Sequence, residues 1–290
     1  MQTKRQFWIF FSLSILTAGI VSFCISYWVA SSREPKIILK TVSAKERYIL
    51  PNLPSQLDFA GETVPLDKSD VRERLLREML INTNLQAGNT WILLQTSRWF
   101  PLIVPILKEE GIPEDFKYLC VAESGLQQVV SKSDAVGFWQ FLEETGKQSG
   151  LEISKQVDER YHVEKSTRAA CRYFKRAYAK FGNWTLVAAS FNCGEGGVEK
   201  FMTQQQVNSY YDALLPEETM RYVFRILAFK NILSKPKEYH FTLNEKDYFT
   251  PRNTCTDTIT RTISDLAEYA KSMGVAPCCN GITWPNGVST

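Results

Sequence analysis

An uncharged, apolar stretch over residues 7–30 constrains the topology of this 290-residue chain more than any other feature. It has about the length that a helix needs to cross the hydrocarbon core of a bilayer. Lys4 and Arg5 precede it, and positive charges before a span keep the N-terminus in the cytoplasm. We therefore predict a cytoplasmic stub and a transmembrane or signal anchor over residues 1–32, with the remaining chain outside the cytoplasm.

A cleavable signal peptide is the alternative interpretation of this stretch. The apolar region of a signal peptide is normally about half as long and ends in a small-x-small site. Phe23, Tyr27 and Trp28 lie where such a site needs small residues. Cys24 would suit a lipoprotein signal, but the bulky Phe23 precedes it. The pattern favours an uncleaved signal anchor.

Composition and cysteine usage narrow the class of protein. Hydrophobic residues make up 44% and charged residues 22%, as in globular proteins. A net charge of +3 without a Lys/Arg-rich run argues against a nucleic-acid partner. No CxxC pair or Cys/His spacing marks a zinc site, so we expect neither a metal nor another cofactor. The cysteines after the span would lie in an oxidising space where disulfides form, and they are Cys120, Cys171, Cys193, Cys255, Cys278 and Cys279.

Hydrophobic periodicity predicts a mostly α domain between residues 70 and 235. Residues 33–69 are polar and interrupted by prolines, which predicts a tether with little regular structure. One helix should begin at Asp70. A second helix should begin after Pro101, because proline favours a helix start. Further helices are predicted at about 113–124, 136–148, 166–181, 184–192 and 216–233.

The last part of the chain, residues 236–290, changes character and is predicted to be a C-terminal extension. Strand-like alternation occurs only at about 239–243, and one helix fits residues 263–273. Cys255, Cys278 and Cys279 cluster in this short segment, where a small module builds little core. We predict at least one disulfide within this group, which mass mapping of the thiols would test.

The helix predicted from Pro113 carries the main catalytic candidate. One face presents residues at spacings i, i+3, i+4 and i+7, namely Phe116, Leu119, Cys120 and Glu123. Burial disfavours the ionised form of a carboxyl group and raises its pKa, as a general acid requires. On this segment alone, a Glu turned to water at a frayed helix end is an equally good interpretation.

Sequence motifs elsewhere in the chain favour catalysis. Together with the Glu123 segment at 118–125, they lie at 133–141, 157–160, 189–194 and 216–223. In order and spacing they resemble the lytic transglycosylases of the soluble-lytic-transglycosylase-like family, and most closely its membrane-bound type D branch. The resemblance runs from about residue 70 to about 235. It implies a lysozyme-like fold with a saccharide groove, formed by a helical part at 70–112 and a catalytic core at 113–235.

The resemblance also implies roles for individual residues. The catalytic Glu of the family corresponds to Glu123, and the Ser that follows it to Ser124. The Gly-Leu-Trp/Met-Gln motif corresponds to residues 137–140, with Phe138 in place of Leu. Trp139 and Gln140 thereby become substrate-binding candidates, although an aromatic residue such as Trp139 would equally suit the core.

Two later motifs supply the other substrate-binding candidates. The Ala-Tyr-Asn motif falls on Ser190, Phe191 and Asn192, so its first two positions differ and a tyrosine hydroxyl is missing. The late Tyr of the family falls on Tyr222. The neutral amides of Gln140 and Asn192 could bind N-acetyl groups and sugar hydroxyls without shifting the pKa of the acid as a charge would.

The mechanism that the resemblance implies uses one carboxyl group. Glu123 would protonate the oxygen between N-acetylmuramic acid and N-acetylglucosamine, while the N-acetyl group of the substrate stabilises the positive charge. The ionised Glu123 would then accept the proton of the muramyl C6 hydroxyl, which closes a 1,6-anhydro ring. A two-carboxylate glycosidase would need a partner at roughly 5–10 Å. The nearest carboxylates that follow Glu123 in the sequence, none in an apolar setting, are Asp134, Glu143 and Glu144.

Two alternative functions remain open. One is a goose-type lysozyme, which hydrolyses the same bond, and the other is a catalytically silent peptidoglycan-binding protein. Glu123, Gln140, Asn192 and Tyr222 occurring together argue against the silent protein. The expected partners are peptidoglycan glycan strands and, through the N-terminal segment, the membrane. The expected location is the bacterial cell envelope, at the periplasmic face of the inner membrane.

Overall fold

The computed structural model describes residues 50–155 and 157–251. The predicted anchor, the predicted helix at 263–273 and the cysteine cluster of the extension lie outside the described residues. Within the described residues no helix is both long enough and apolar enough to cross a bilayer. The described part is mostly helical, as predicted.

The secondary structure consists of α-helices with one small hairpin before them. Strands β1 (Asp58–Phe59) and β2 (Glu62–Thr63) pair antiparallel, with Phe59 opposite Glu62. The helices are α1 (Ser69–Asn84), α2 (Gln86–Glu109), α3 (Phe116–Ser124), α4 (Glu143–Gln148), α5 (Val163–Phe181), α6 (Trp184–Cys193), α7 (Glu195–Gln205) and α8 (Glu217–Ser234). Short 3-10 helices cover Glu159–Tyr161, Tyr210–Asp212, Pro236–Tyr239 and Glu245–Asp247.

The short helix α3 lies in the core, in contact with α2 and α8. Helix α8 also packs against α1 and α6, and α5 packs against α2 and α6. Phe116, Leu119 and Cys120 of α3 are fully buried, so its apolar face is held from several sides. Burying such a side chain contributes about 1.5–3 kcal/mol to folding, which fixes the position of the C-terminal end of α3.

The helices with clear apolar stripes are confirmed. Those predicted at 113–124, 166–181, 184–192 and 216–233 correspond to α3, α5, α6 and α8. Helix α5 starts earlier than predicted, and the imidazole of His162 accepts a hydrogen bond from the Lys165 amide at its N-terminus. Helix α7 was not predicted, because Gly196 and Gly197 weaken its helical propensity.

Two helix predictions are wrong in their bounds. Helix α2 does not start after Pro101 but contains both Pro101 and Pro105, and buries Leu93, Ile103 and Leu107. Packing of these side chains outweighs the backbone donors that the prolines remove. The helix predicted at 136–148 is reduced to α4, because residues 126–142 form an irregular loop.

Part of the predicted tether belongs to the folded core. Phe59, Val64 and Leu66 are buried, and the Phe59 ring lies 5.3 Å from that of Phe116 in α3. At residues 239–243 the structure has no strand but the end of a 3-10 helix and a turn, with Tyr239 and Phe241 buried. The compact domain therefore extends beyond the predicted limits of 70 and 235 at both ends.

Candidate active site

Glu123 lies in the last turn of α3 and is partly buried. The helix ends immediately after it, because Gly125 adopts a left-handed conformation with φ of 60°. The hydroxyl group of Tyr222, in α8, donates a hydrogen bond to Oε1 of Glu123. Tyr222 is only 2% exposed, so packing of α8 against α3 fixes this donor. The structure thus brings Glu123 and Tyr222, two of the predicted site residues, into contact although they are far apart in the sequence.

Burial dominates the ionisation of Glu123 and raises its pKa to about 7 from the usual value of 4.5. The hydrogen bond from Tyr222 and the positive charge of Arg225 act in the opposite direction, and Glu218 adds to the rise. Burial also raises the pKa of Tyr222 well above its usual range, so its hydroxyl stays protonated and donates. A pKa near neutrality lets one group both donate and accept a proton.

Gln140 stands at the end of the loop over residues 126–142. Its backbone has a φ of 48°, and its side-chain amide donates to the carbonyls of Gly137 at 2.7 Å and Val129 at 3.0 Å. Among the described residues no group donates to its Oε1 atom. The amide nitrogen therefore holds the loop together, and the oxygen is the atom that a ligand could use.

Ser124 anchors the same loop from the end of α3. Its hydroxyl donates to the carbonyl of Phe138 at 2.8 Å, and the residue is buried. This hydrogen bond corrects the prediction of direct substrate binding, because the hydroxyl is engaged inside the protein. Ser124 instead connects the helix that carries Glu123 to the loop that carries Gln140.

Trp139 is a core residue, which corrects its assignment as a sugar-stacking residue. It is 0% exposed, and its indole nitrogen donates to Oγ1 of Thr167 at 2.9 Å. Its ring packs edge-on against Phe174 at 5.7 Å and Phe191 at 6.5 Å. A side chain without accessible surface offers no face to a sugar, so the core interpretation holds.

Asp158 and Arg160 form the structural ion pair that fixes the loop. The guanidinium group binds Asp158 through Nε at 2.9 Å and through Nη2 at 2.7 Å. Its Nη1 atom also donates to the carbonyls of Asp134 and Phe141 in the loop, at 3.1 Å and 3.2 Å. Arg160 thereby adds side-chain hydrogen bonds to the few backbone hydrogen bonds of residues 134–141, such as that from the Val136 amide to the Phe141 carbonyl at 3.0 Å.

Asn192 is exposed near the end of α6, and its Oδ1 accepts a hydrogen bond from Thr219 Oγ1 at 2.8 Å. Thr219 lies one turn before Tyr222 in α8, so this helix contacts both the Glu123 carboxyl group and the amide of Asn192. Helix α6 starts as predicted, since Asn183 Oδ1 accepts from the Leu186 amide at 2.8 Å. The exposed amide nitrogen of Asn192 is the group that a ligand could reach.

None of the nearest carboxylates that follow Glu123 in the sequence is buried. Asp134, Glu143 and Glu144 are exposed, and Glu143 binds Lys147 at 2.6 Å. The carboxylate whose charge acts on Glu123 is that of Glu218, which is exposed and engaged with Arg225 at 2.9 Å. Within residues 50–155 and 157–251, no three His, Cys, Asp or Glu side chains are placed to hold one metal ion.

Arg225 and Thr219 are site residues that reading of the sequence missed. Both lie on α8 within one turn of Tyr222, at i+3 and i−3. Helical spacing from Tyr222 was the available signal, but Arg225 also fits an ordinary exposed position on an amphipathic helix.

The cysteines of the described part, Cys120, Cys171 and Cys193, are free thiols.

Comparison with known proteins identifies relatives of this chain. Residues 103–213 match the transglycosylase SLT domain. The chain is 30% identical over 162 residues to membrane-bound lytic murein transglycosylase D of Escherichia coli strain K12, a match that covers 54% of this chain and 36% of that protein. The protein of the same name from Escherichia coli O6:H1 strain CFT073 gives the same values. The chain therefore spans little more than a third of the length of these relatives.

Proposed function

Because the chain belongs to the transglycosylase SLT domain family through residues 103–213, we propose that it is a peptidoglycan lytic transglycosylase. It cleaves the β-1,4 bond between N-acetylmuramic acid and N-acetylglucosamine and forms 1,6-anhydro-N-acetylmuramic acid. The observation that carries the proposal is the Glu123 carboxyl group, whose burial raises its pKa to about 7 and whose Oε1 accepts a hydrogen bond from Tyr222.

The first step is proton donation by Glu123. At neutral pH both the protonated and the ionised form are populated, because burial raises the pKa of Glu123 to about 7. Protonation of the glycosidic oxygen breaks the bond to the muramyl anomeric carbon and leaves a Glu123 carboxylate. The Tyr222 hydroxyl already points at Oε1 and stabilises this carboxylate without rearrangement.

The second step is proton acceptance by the same group. The N-acetyl oxygen of the substrate stabilises the positive charge at the anomeric carbon, which replaces a second carboxylate. Glu123 then accepts the proton of the C6 hydroxyl, whose oxygen bonds to the anomeric carbon. Glu123 returns to its starting state and no water is consumed. We assign Gln140 Oε1 and the amide nitrogen of Asn192 to binding of the sugars on either side.

The location of the enzyme is part of the proposal. Its support is the uncharged stretch at residues 7–30 and the similarity to a protein named membrane-bound. We propose that residues 1–32 anchor the chain in the inner membrane and that the segment between residue 33 and the folded domain tethers the domain on the periplasmic side. Membrane fractions that contain the protein with an intact N-terminus are the expected result, and a soluble form that starts after Ala30 would contradict it.

Replacement of Glu123 with Gln tests the proposed chemistry, because it removes the ionisable proton and nearly preserves the shape. We expect turnover of purified peptidoglycan to fall by at least about four powers of ten, since one group serves both steps. Mass analysis of the released muropeptides should identify anhydromuramyl ends with the unmodified protein. The matched control is Glu144→Gln, an exposed carboxylate on α4, which should retain activity.

The same measurement distinguishes the alternatives. Products with a reducing muramic acid, which are one water heavier, would move the chain to the lysozyme-type hydrolases. Binding of peptidoglycan without any released product would identify a silent binding protein. A Glu123→Gln variant with near-normal turnover would remove Glu123 from the mechanism altogether.

A further inference from the structure

An ion-pair network adjoins the catalytic carboxyl group on the side of α1 and α8. Glu78 in α1 is only 1% exposed, and its Oε1 accepts from Nε of Arg221 at 2.7 Å. Arg225 lies 3.8 Å from the other Glu78 oxygen and binds Glu218 at 2.9 Å. Both arginines belong to α8, where they flank Tyr222 in the sequence.

The two arginines differ in their relation to Glu123. Arg225 lies one turn beyond Tyr222, the donor to Glu123, and its charge acts on both of these groups. Arg221 already neutralises Glu78 at hydrogen-bonding distance, so the fold does not need a second cation there. Two arginines face Glu78 and Glu218, and an ionised Glu123 adds one uncompensated negative charge.

We propose that Arg225, held by Glu78 and Glu218, is a positioning residue that keeps a fixed positive charge beside Glu123 during proton transfer. This role of Arg225 in catalysis rests on the proposed function. A buried carboxyl group without a neighbouring cation keeps its proton too strongly to release it at neutral pH. The buried Glu78 prevents Arg225 from turning to solvent, so the charge is in place before the substrate binds.

Other groups near Glu123 contribute in known directions. Tyr222 stabilises the carboxylate, and Glu218 from the same helix disfavours it. Cys120 lies on α3 itself, and burial raises the pKa of its thiol well above the usual range, so it stays neutral. Among the described residues Arg225 is therefore the positive charge that counteracts the burial of Glu123.

Arg225→Met in the full-length chain removes this charge and nearly preserves the volume. We expect the pKa of Glu123 to rise by about 0.5–1 unit, because an opposite charge at short range shifts a carboxyl group by about 1–3 units and Arg225 is shared with two other carboxylates. Carbon-13 NMR of the Glu side-chain carboxyl groups measures this pKa directly, and loss of the signal in Glu123→Gln assigns it.

The pH dependence of peptidoglycan cleavage is the second measurement. Its alkaline limb should move by the same amount in Arg225→Met, with the maximum turnover lowered about three- to tenfold. Arg225→Lys retains the positive charge and should restore most of the shift. Arg221→Met is the matched control, because it also removes one arginine from Glu78, whereas the charges that act on Glu123 are those of Arg225 and Glu218.

Glu218→Gln tests the proposal without disturbing the core, because Glu218 is exposed. It removes the carboxylate that opposes Arg225, so the pKa of Glu123 should fall. An unchanged Glu123 titration in Arg225→Met would overturn the proposal, as would an equal shift in Arg221→Met. The NMR titration does not depend on turnover. A chain that releases no anhydromuropeptides would therefore contradict the proposed function, while the NMR titration would still test the effect of Arg225 on the pKa of Glu123.

Discussion

At the scale of single residues, Glu123 combines a proposed catalytic use with a structural disadvantage. Its pKa of about 7 means that the folded protein keeps a proton that the unfolded chain releases near pH 4.5. Above that pH the unfolded state gains free energy from ionisation that the folded state lacks. A functional carboxyl group in this position is therefore expected to lower the stability of the fold at neutral pH.

Glu123→Gln should consequently stabilise the folded protein in a pH-dependent way. Between pH 4.5 and 7 the folded state binds more protons than the unfolded state, so stability falls as pH rises. The variant lacks this loss, and its advantage should be near zero at pH 4 and about 2 kcal/mol at pH 8, after allowance for partial exposure. Urea unfolding at both pH values measures it. An advantage of equal size at pH 4 and pH 8 would contradict the prediction.

At the scale of secondary-structure elements, most helices could be predicted and the loop over residues 126–142 could not. Apolar spacing identified α3, α5, α6 and α8, because each buries one face. The loop over residues 126–142 depends instead on left-handed residues such as Gln140 and on Arg160, which follows it in the chain. Local sequence carries no signal for such a distant hydrogen-bond donor.

Gly137→Ala should disrupt this loop. Gly137 has a φ of 79°, and an added Cβ atom would lie 2.3 Å from the carbonyl oxygen of Arg160. We expect a loss of about 2–4 kcal/mol in unfolding free energy, together with reduced turnover because Gln140 is displaced. Gly182→Ala is the control, with a φ of 63° and no atom within 4 Å of the added Cβ. It should lose only about 1 kcal/mol, and equal losses in both variants would contradict the steric argument.

At the scale of the whole molecule, the folded unit is larger than the matched family segment. Residues 103–213 include Glu123 but not Tyr222, which donates to it, or Glu78, which holds Arg225. The resemblance predicted Glu123 and Tyr222 from their motifs. It did not predict the hairpin at residues 58–63, because a two-residue strand has too little sequence for a periodic pattern.

Phe59→Ala tests whether the hairpin belongs to the fold. The side chain is 0% exposed and packs against Phe116 of α3, so its loss should cost about 3–5 kcal/mol in global unfolding. Leu50→Ala, at a position that is 72% exposed, should change stability by less than about 0.5 kcal/mol. Thermal or urea unfolding measures both. If the Phe59→Ala protein were as stable as the unmodified one, the hairpin at residues 58–63 would belong to the tether and not to the fold.

The hairpin also connects the N-terminal side of the domain to its helices, so it would transmit a mechanical load to them. The Glu62 carboxylate accepts hydrogen bonds from the first amides of α6, those of Trp184 at 2.5 Å and Thr185 at 2.9 Å. Lys230 of α8 links Asp58 to Asp115, immediately before α3. A pull on the chain ahead of residue 50 would first meet the Asn52 carbonyl, which accepts from Tyr239 at 3.3 Å. It would then reach the attachments of the hairpin to the helices that carry Asn192, Tyr222 and Glu123. If residues 1–32 anchor the chain as proposed, tension in it would act on the helices that hold the candidate site.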